Sequence, residues 1–252
     1  MINTAKGITK GQIHVLFNDR LKTSGASVLP FSFTVTVTAG QTVDLGLSVH
    51  TGKTAKVQWD DGNETTVSYS LGNYTNHTNV YAAAGTYNIK IVDADNLKGF
   101  RINNPAYSVN IVGALPVNLT YLYLIGALIA WTYTGALPVN LTNLILSGNS
   151  IAWTYTGALP VNLTNLILAG SAIAWTYTSQ SYKSTLSNFK YLPGTTGKWL
   201  SATVDQVIAD LEASGMTGAV NIAGNNEART SASDQDLIDL RANGATVTVN
   251  EY

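Results

Sequence analysis

Residues 135–156 read GALPVNLTNLILSGNSIAWTYT. Nearly the same 22 residues precede them as GALPVNLTYLYLIGALIAWTYT at 113–134 and follow them as GALPVNLTNLILAGSAIAWTYT at 157–178. None of the three carries a charge. A fixed period of this length marks a stack of like coils, each too small to bury its apolar face alone. Counted from Leu141, apolar residues fall at positions 1, 4, 6 and 11, which are Leu141, Leu144, Leu146 and Ile151. The same frame selects Leu119, Leu122, Leu124 and Ile129 one coil earlier, and Leu163, Leu166, Leu168 and Ile173 one coil later. A step back of 22 gives Leu97, Phe100, Ile102 and Tyr107; a step forward gives Leu186, Phe189 and Tyr191, displaced by one residue. Each coil should therefore hold one short parallel strand with these side chains inward.

IAWTYT alternates with period two, so it should be extended backbone. Its Trp131, Trp153 and Trp175 are expected to form one stacked core column and Tyr133, Tyr155 and Tyr177 another. Pro116, Pro138 and Pro160 fix the backbone where no ladder donor is needed. Asn118, Asn140 and Asn162 should form a polar ladder, and Asn149 alone supplies asparagine at position 9.

The period changes after residue 198. TVDQVIADLEASG (203–215) places Val204, Val207, Ile208 and Leu211 at helical spacing, with Thr203 and Gln206 as a capping box and Gly215 as the stop. AVNIAGNN returns to a strand pattern with Val220, Ile222 and Asn225. SDQDLIDLRANG then repeats the helical device with Ser233 and Asp236, Leu237 and Leu240, and Gly244. Two helix-backed coils should thus close the stack with a polar, acidic end whose carboxylates form a solvated face. The pattern L-x-x-L-x-L-x-x-N-x-I, with the ending NIAGNNEARTSASDQDLIDLRANGATVTVN, resembles the leucine-rich-repeat proteins of Bacteroidetes and their phages. That family is defined by architecture and implies no single activity.

Residues 31–92 read as short strands, with alternation clearest in Phe31, Phe33, Val35 and Val37 and again in Tyr87, Ile89 and Ile91. Trp59, Asp60, Asp61 and Gly62, followed by His77, Tyr81, Gly85 and Tyr87, resemble the turn and strand pair of the PKD-type immunoglobulin-like sandwich. The expected fold class is mainly β with a few helices. It comprises a basic segment 1–29, a PKD/Ig-like β-sandwich over 30–96, a leucine-rich-repeat solenoid over 97–198, and helix-backed capping coils over 199–252.

Composition narrows the chemistry. Net charge is −1, and only 12% of residues are charged, against a usual share of roughly 25%. Segment 1–29 is net +3 (Lys6, Lys10, Arg20 and Lys22 against Asp19), 30–96 is net −3, and 199–252 is net −6. No charge occurs from Asn103 to Tyr182. This balance gives no reason to expect nucleic acid as partner. Cysteine is absent, which removes thiol chemistry and cysteine-type zinc sites. His14, His50 and His77 are far apart, and no nucleophile–base or phosphate-cradling motif is present, so the chain is read as non-enzymatic, with no cofactor and no metal. Asp60, Asp61 and Glu64 are read as a solvated turn rather than a calcium loop. No apolar run reaches the length of a membrane span, and the N-terminus lacks a signal h-region.

Outward positions 3, 5 and 7 of the coils select Tyr121, Tyr123, Ile125, Ile145 and Ile167 as an apolar strip ending near Lys190, a candidate interaction surface, the alternative being that a loop of the same chain covers it. Lys6, Lys10, Ile13, Val15, Leu16 and Phe17 make a candidate anchor. The expected role is a structural or attachment protein of a bacteriophage virion, made in the cytoplasm and working outside the cell. Its partners would be other virion proteins, a second copy, or a host surface protein or glycan. The alternative is a bacterial cell-surface adhesin or glycan-binding module.

Overall fold

The computed structural model describes residues 30–252 except 72–73, 134, 149 and 183–184. The candidate anchor and Asn149 lie outside the described residues. Among the described residues the fold is mainly β, with two short α-helices and a β-solenoid. Six antiparallel strands come first: β1 (Phe31–Val37), β2 (Gln41–Val49), β3 (Thr54–Gln58), β4 (Glu64–Ser68), β5 (Thr75–Tyr81) and β6 (Gly85–Val92). Four coils follow, each giving one strand to each of two sheets. They are β7 (Leu97–Asn103) with β8 (Ser108–Ile111), β9 (Tyr121–Ile125) with β10 (Ile129–Tyr133), β11 (Asn143–Ser147) with β12 (Ile151–Tyr155), and β13 (Asn165–Gly170) with β14 (Ala174–Trp175). The chain ends with β15 (Asn188–Pro193), α1 (Ser201–Ala213), β16 (Ala219–Asn221), α2 (Asp234–Ala242) and β17 (Thr246–Thr248).

The first sheet runs β14-β12-β10-β8-β1-β6-β3-β4 and the second β17-β16-β15-β13-β11-β9-β7-β2-β5. Both cross the 96/97 position without a break. In the second sheet β7 pairs antiparallel with β2 and parallel with β9. In the first, β8 pairs antiparallel with β1 and parallel with β10. The first coil is thus also the last layer of the antiparallel half, which covers what would otherwise be an open apolar end of the solenoid. Phe100 of the second sheet meets Phe31 and Phe33 of the first at 5.1 and 5.6 Å between ring centres, so one core fills the space between the layers.

In the second sheet the repeat period is also the pairing register: Leu122, Leu144 and Leu166 are direct neighbours, all fully buried. The following step is 23 residues, with Leu166 opposite Phe189, as the displaced last copy required. Backbone contacts set this spacing as firmly as leucine packing does. A Cβ on Gly148 would stand 2.2 Å from the Gly126 carbonyl oxygen, so only glycine fits between these coils. Gly148→Ala should therefore overpack the stack and lower stability by about 1–3 kcal/mol, seen as an earlier urea midpoint.

The first sheet departs from the expected columns. Its coils pair 20 residues apart, setting Trp131 opposite Ile151, Tyr133 opposite Trp153 and Tyr155 opposite Trp175. Trp153 and Trp175 therefore each face a tyrosine of the preceding coil, and Trp131 faces isoleucines, instead of forming separate tryptophan and tyrosine columns. A shift of two residues keeps every ring inward, whereas a shift of one would turn the tryptophans out. Within a coil the rings stack, Trp131 on Tyr133 at 5.2 Å and Trp153 on Tyr155 at 5.0 Å. Each tyrosine hydroxyl then closes the next turn by donating to Ala136 O (2.6 Å) or Ala158 O (2.9 Å). The indole N–H groups of Trp131, Trp153 and Trp175 are buried without a hydrogen-bond partner, so their contribution is apolar area.

The polar ladder along the turns is carried mainly by threonine. Thr142 and Thr164 each donate from Oγ1 to the carbonyl one coil back, Thr120 O and Thr142 O, at 3.1 Å. Asn118 and Asn162 donate to backbone carbonyls of the preceding coil, Asp95 O and Val139 O.

The helices bury Val204, Val207, Ile208, Leu211, Leu237 and Leu240, as their spacing predicts, and Gly215 and Gly244 stop them at positive φ. Their starts differ from expectation. α1 begins at Ser201, whose N–H donates to the Glu227 carboxylate of the next coil (3.1 Å) in place of a Thr203 box. Ser233 donates to Asp205 of α1 at 2.6 Å rather than capping α2. Asp210 accepts from Tyr177 Oη (2.6 Å), Gln180 N (3.0 Å) and Ser179 Oγ (3.1 Å). Three carboxylates expected on a solvated face are therefore ties between successive coils.

Burial pushes the Tyr107 and Tyr191 hydroxyls up to about 12, from an ordinary value of 10.0. Tyr107 Oη donates to Asp44 O at 2.9 Å and Tyr191 Oη to Gly197 O at 2.6 Å. Since the folded value is raised, the stability from keeping these groups neutral is whole below pH 10 and is lost as pH rises toward 12. Base-induced unfolding should fall in that interval, with tyrosinate absorbance and loss of the sheet spectrum rising together.

Candidate interaction surface

The outward residues of the second sheet form columns fixed by the register. Arg101, Tyr123, Ile145, Ile167 and Lys190 make one column. Tyr121 leads a second, followed by Asn143, Asn165 and Asn188, and Ile125 lies in a third with Ser147, Ala169 and Leu192. The structure therefore brings Tyr123, Ile145 and Ile167 into direct contact along one row, with Arg101 and Lys190 at its two ends and Tyr121 and Ile125 alongside. Tyr123 is buried, and the other four residues of the row are half-buried.

One end of the row is covered by the chain itself. Tyr74 packs edge-on against Tyr123 at 5.7 Å, and the Arg101 guanidinium lies 4.0 Å from the centre of the Tyr74 ring. Arg101 Nη2 donates to Asn76 Oδ1 at 2.6 Å. This arrangement needs Gly46, because a Cβ there would stand 2.6 Å from Arg101 Nε. Lys98 Nζ sits 5.4 Å from the Tyr121 ring centre. Burial, with the neighbouring Tyr74 and Tyr121, pushes the Tyr123 hydroxyl up to about 12. The accessible apolar part of the row is thus Ile145 and Ile167.

A more exposed apolar feature lies on the turns. Val117, Val139 and Val161 are 60, 72 and 63% exposed at one repeat position. Their sequence signal is a valine after each repeated proline, on a turn whose facing strand alternation does not specify.

At the end of the first sheet a cleft of 230 Å³ is lined by Trp175, Tyr177, Trp199, Lys198 and neighbouring threonines. Trp199 Nε1 donates to Trp175 O at 2.8 Å and its ring stacks on Tyr191 at 4.0 Å, so both indoles are built into the wall. Trp131 and Trp153 are equally enclosed and offer no open ring face.

The acidic turn directs each carboxylate to its own donors. Asp61 takes Asn79 Nδ2 (2.7 Å) and both Asn63 N and Nδ2 (3.0 Å). Burial raises its carboxyl, but the amide donors outweigh that and hold it below the ordinary range. Asp60 accepts from Asn88 N at 2.7 Å and Glu64 from Gln58 Nε2 at 2.8 Å. His77 meets Thr75 Oγ1 at 2.9 Å, and His50 meets Asn118 O at 3.0 Å. Among the described residues no group of three or more His, Cys, Asp or Glu side chains is placed to hold a metal ion. Among them, too, no helix is long and apolar enough to cross a membrane.

No known protein family, curated protein or solved structure matches this chain at a significant level.

Proposed function

We propose that the chain is a non-enzymatic structural or attachment protein of a bacteriophage virion, acting as a rigid display element. The observation that carries this role is the passage of both sheets, unbroken, from the antiparallel half into four coils, the last three of them free of charge. Such a body transmits position without a hinge, and duplicated coils lengthen it without altering its faces. In this proposal residues 97–198 are leucine-rich-repeat coils, and 30–96 are an immunoglobulin-like sandwich of the PKD type. Support for the second assignment comes from the buried Trp59, whose carbonyl accepts from Tyr81 Oη at 2.7 Å, and from Asp60 and Gly62 at positive φ. His77 and Tyr81 share one face of β5, so the three residues between them are strand. Lys6, Lys10, Ile13, Val15, Leu16 and Phe17 would attach the chain to the particle. Ile145, Ile167 and the valine ridge would meet neighbouring virion proteins or a host surface.

A bacterial surface adhesin or glycan-binding module is the second reading, favoured by the aromatic and threonine-lined cleft at Trp175 and Trp199. Immunogold electron microscopy with antibody against residues 199–252 separates the two. Gold on phage particles is the expected result; gold confined to cell envelopes would replace the virion role with the adhesin.

A further inference from the structure

The two sheets have four outer edges, and three are protected. β14 has two residues and β17 three, too short to template a partner strand. β4 has five and carries Glu64, ion-paired with Lys56 at 3.6 Å. Shortness and charge are the usual ways in which natural sheets block pairing at their edges.

β5 has neither. It is seven residues long, Thr75–Tyr81, with no Lys, Arg, Asp, Glu or Pro. Its register with β2 is regular over all seven, so no bulge turns the edge away. Asp61 and Asn63 hold the Asn79 side chain on the inner face, level with buried Tyr81. Among the described residues, backbone bonds to β5 come from the β2 side. Every second residue therefore turns a free N–H and C=O outward.

We propose that β5 is a self-association edge, pairing antiparallel with the β5 of a second copy about a twofold axis at Thr78. The strand is complementary to itself in this register. Thr75 faces Tyr81 of the second copy, Asn76 faces Val80, His77 faces Asn79, and Thr78 faces Thr78. Odd residues meet odd ones, so inner and outer faces continue across the junction. Facing threonine hydroxyls already bond across antiparallel strands in this molecule, Thr36 to Thr86 at 2.9 Å between β1 and β6. Asp44 stands opposite Thr78 on β2. The two copies of Asp44 would be three strand spacings apart, about 14 Å, beyond the screening length of about 8 Å at physiological ionic strength. A foreign strand would need a free edge of its own, which a second copy has by construction. The interface is small, so association belongs in the micromolar to millimolar range.

The test is analytical ultracentrifugation of the full chain over that range, and it does not depend on the virion role. Wild type should pass from 26.8 kDa to twice that mass. Thr78→Lys and Thr78→Glu should each stay monomeric with unchanged circular dichroism and melting, because like charges would meet on the axis. Mixing the two should restore a dimer containing one of each. Val80→Lys, at a site 57% exposed, is a second variant expected to block association. A wild type that stays monomeric throughout, or variants that dimerise as well as wild type, would overturn the proposal.

Discussion

Leu144→Asp should leave no folded solenoid. Leu144 is fully buried between Leu122 and Leu166, and a carboxylate there would have neither water nor a cation. Leu144→Ala should fold with a loss of about 2–5 kcal/mol. Ile145→Asp changes the next residue, on the outward face, and should fold with a loss below about 1 kcal/mol. Circular dichroism and thermal melts of the three variants decide the matter. Native sheet spectra for Leu144→Asp, or equal damage from Ile145→Asp, would contradict the assigned facing.

The second large effect is expected at Asn226, which is 3% exposed and ties its own coil to the preceding one. Its Oδ1 accepts from Trp199 N at 3.0 Å, while Nδ2 donates to Tyr191 O at 3.1 Å and Ile222 O at 2.9 Å. Asn226→Leu keeps the volume but strands one buried donor and two buried acceptors. Each orphan typically costs about 1–3 kcal/mol, and the apolar side chain offsets part of the sum, so a loss of about 3–5 kcal/mol is expected. Hydrogen exchange should quicken first in residues 188–252, where the cap loosens. Asn225→Ala removes a single bond, to Pro193 O, and should lose only about 1 kcal/mol. Equal stability of Asn226→Leu and wild type would remove Asn226 from its role as the fastener of the cap.

The coil was legible because its inward leucines recur every 22 residues and the second sheet pairs at that same interval. The first sheet was not, since identical IAWTYT copies keep their rings inward at any even offset. The pairing of β8 with β1, 72 or more residues apart in sequence, fixes the first layer of that sheet, and no repeat encodes it. The roles of Asp205, Asp210 and Glu227 were hidden for a related reason. Their partners Thr230, Tyr177 and Ser201 lie 25, 33 and 26 residues away, and an acid on an amphipathic helix or in a polar loop otherwise reads as solvated. On the candidate surface the row Tyr123–Ile145–Ile167 followed from strand alternation. Its cover by Tyr74 did not, because that tyrosine lies before the repeats and reaches the row only through the β5–β2–β7 order of the second sheet.

The claim that the antiparallel half and the coils are one body is tested most directly by differential scanning calorimetry of the full chain. Sharing β7 and β8 between the two halves predicts a single transition, with calorimetric and van't Hoff enthalpies in agreement. Two resolved transitions, with either half still folded between them, would contradict it.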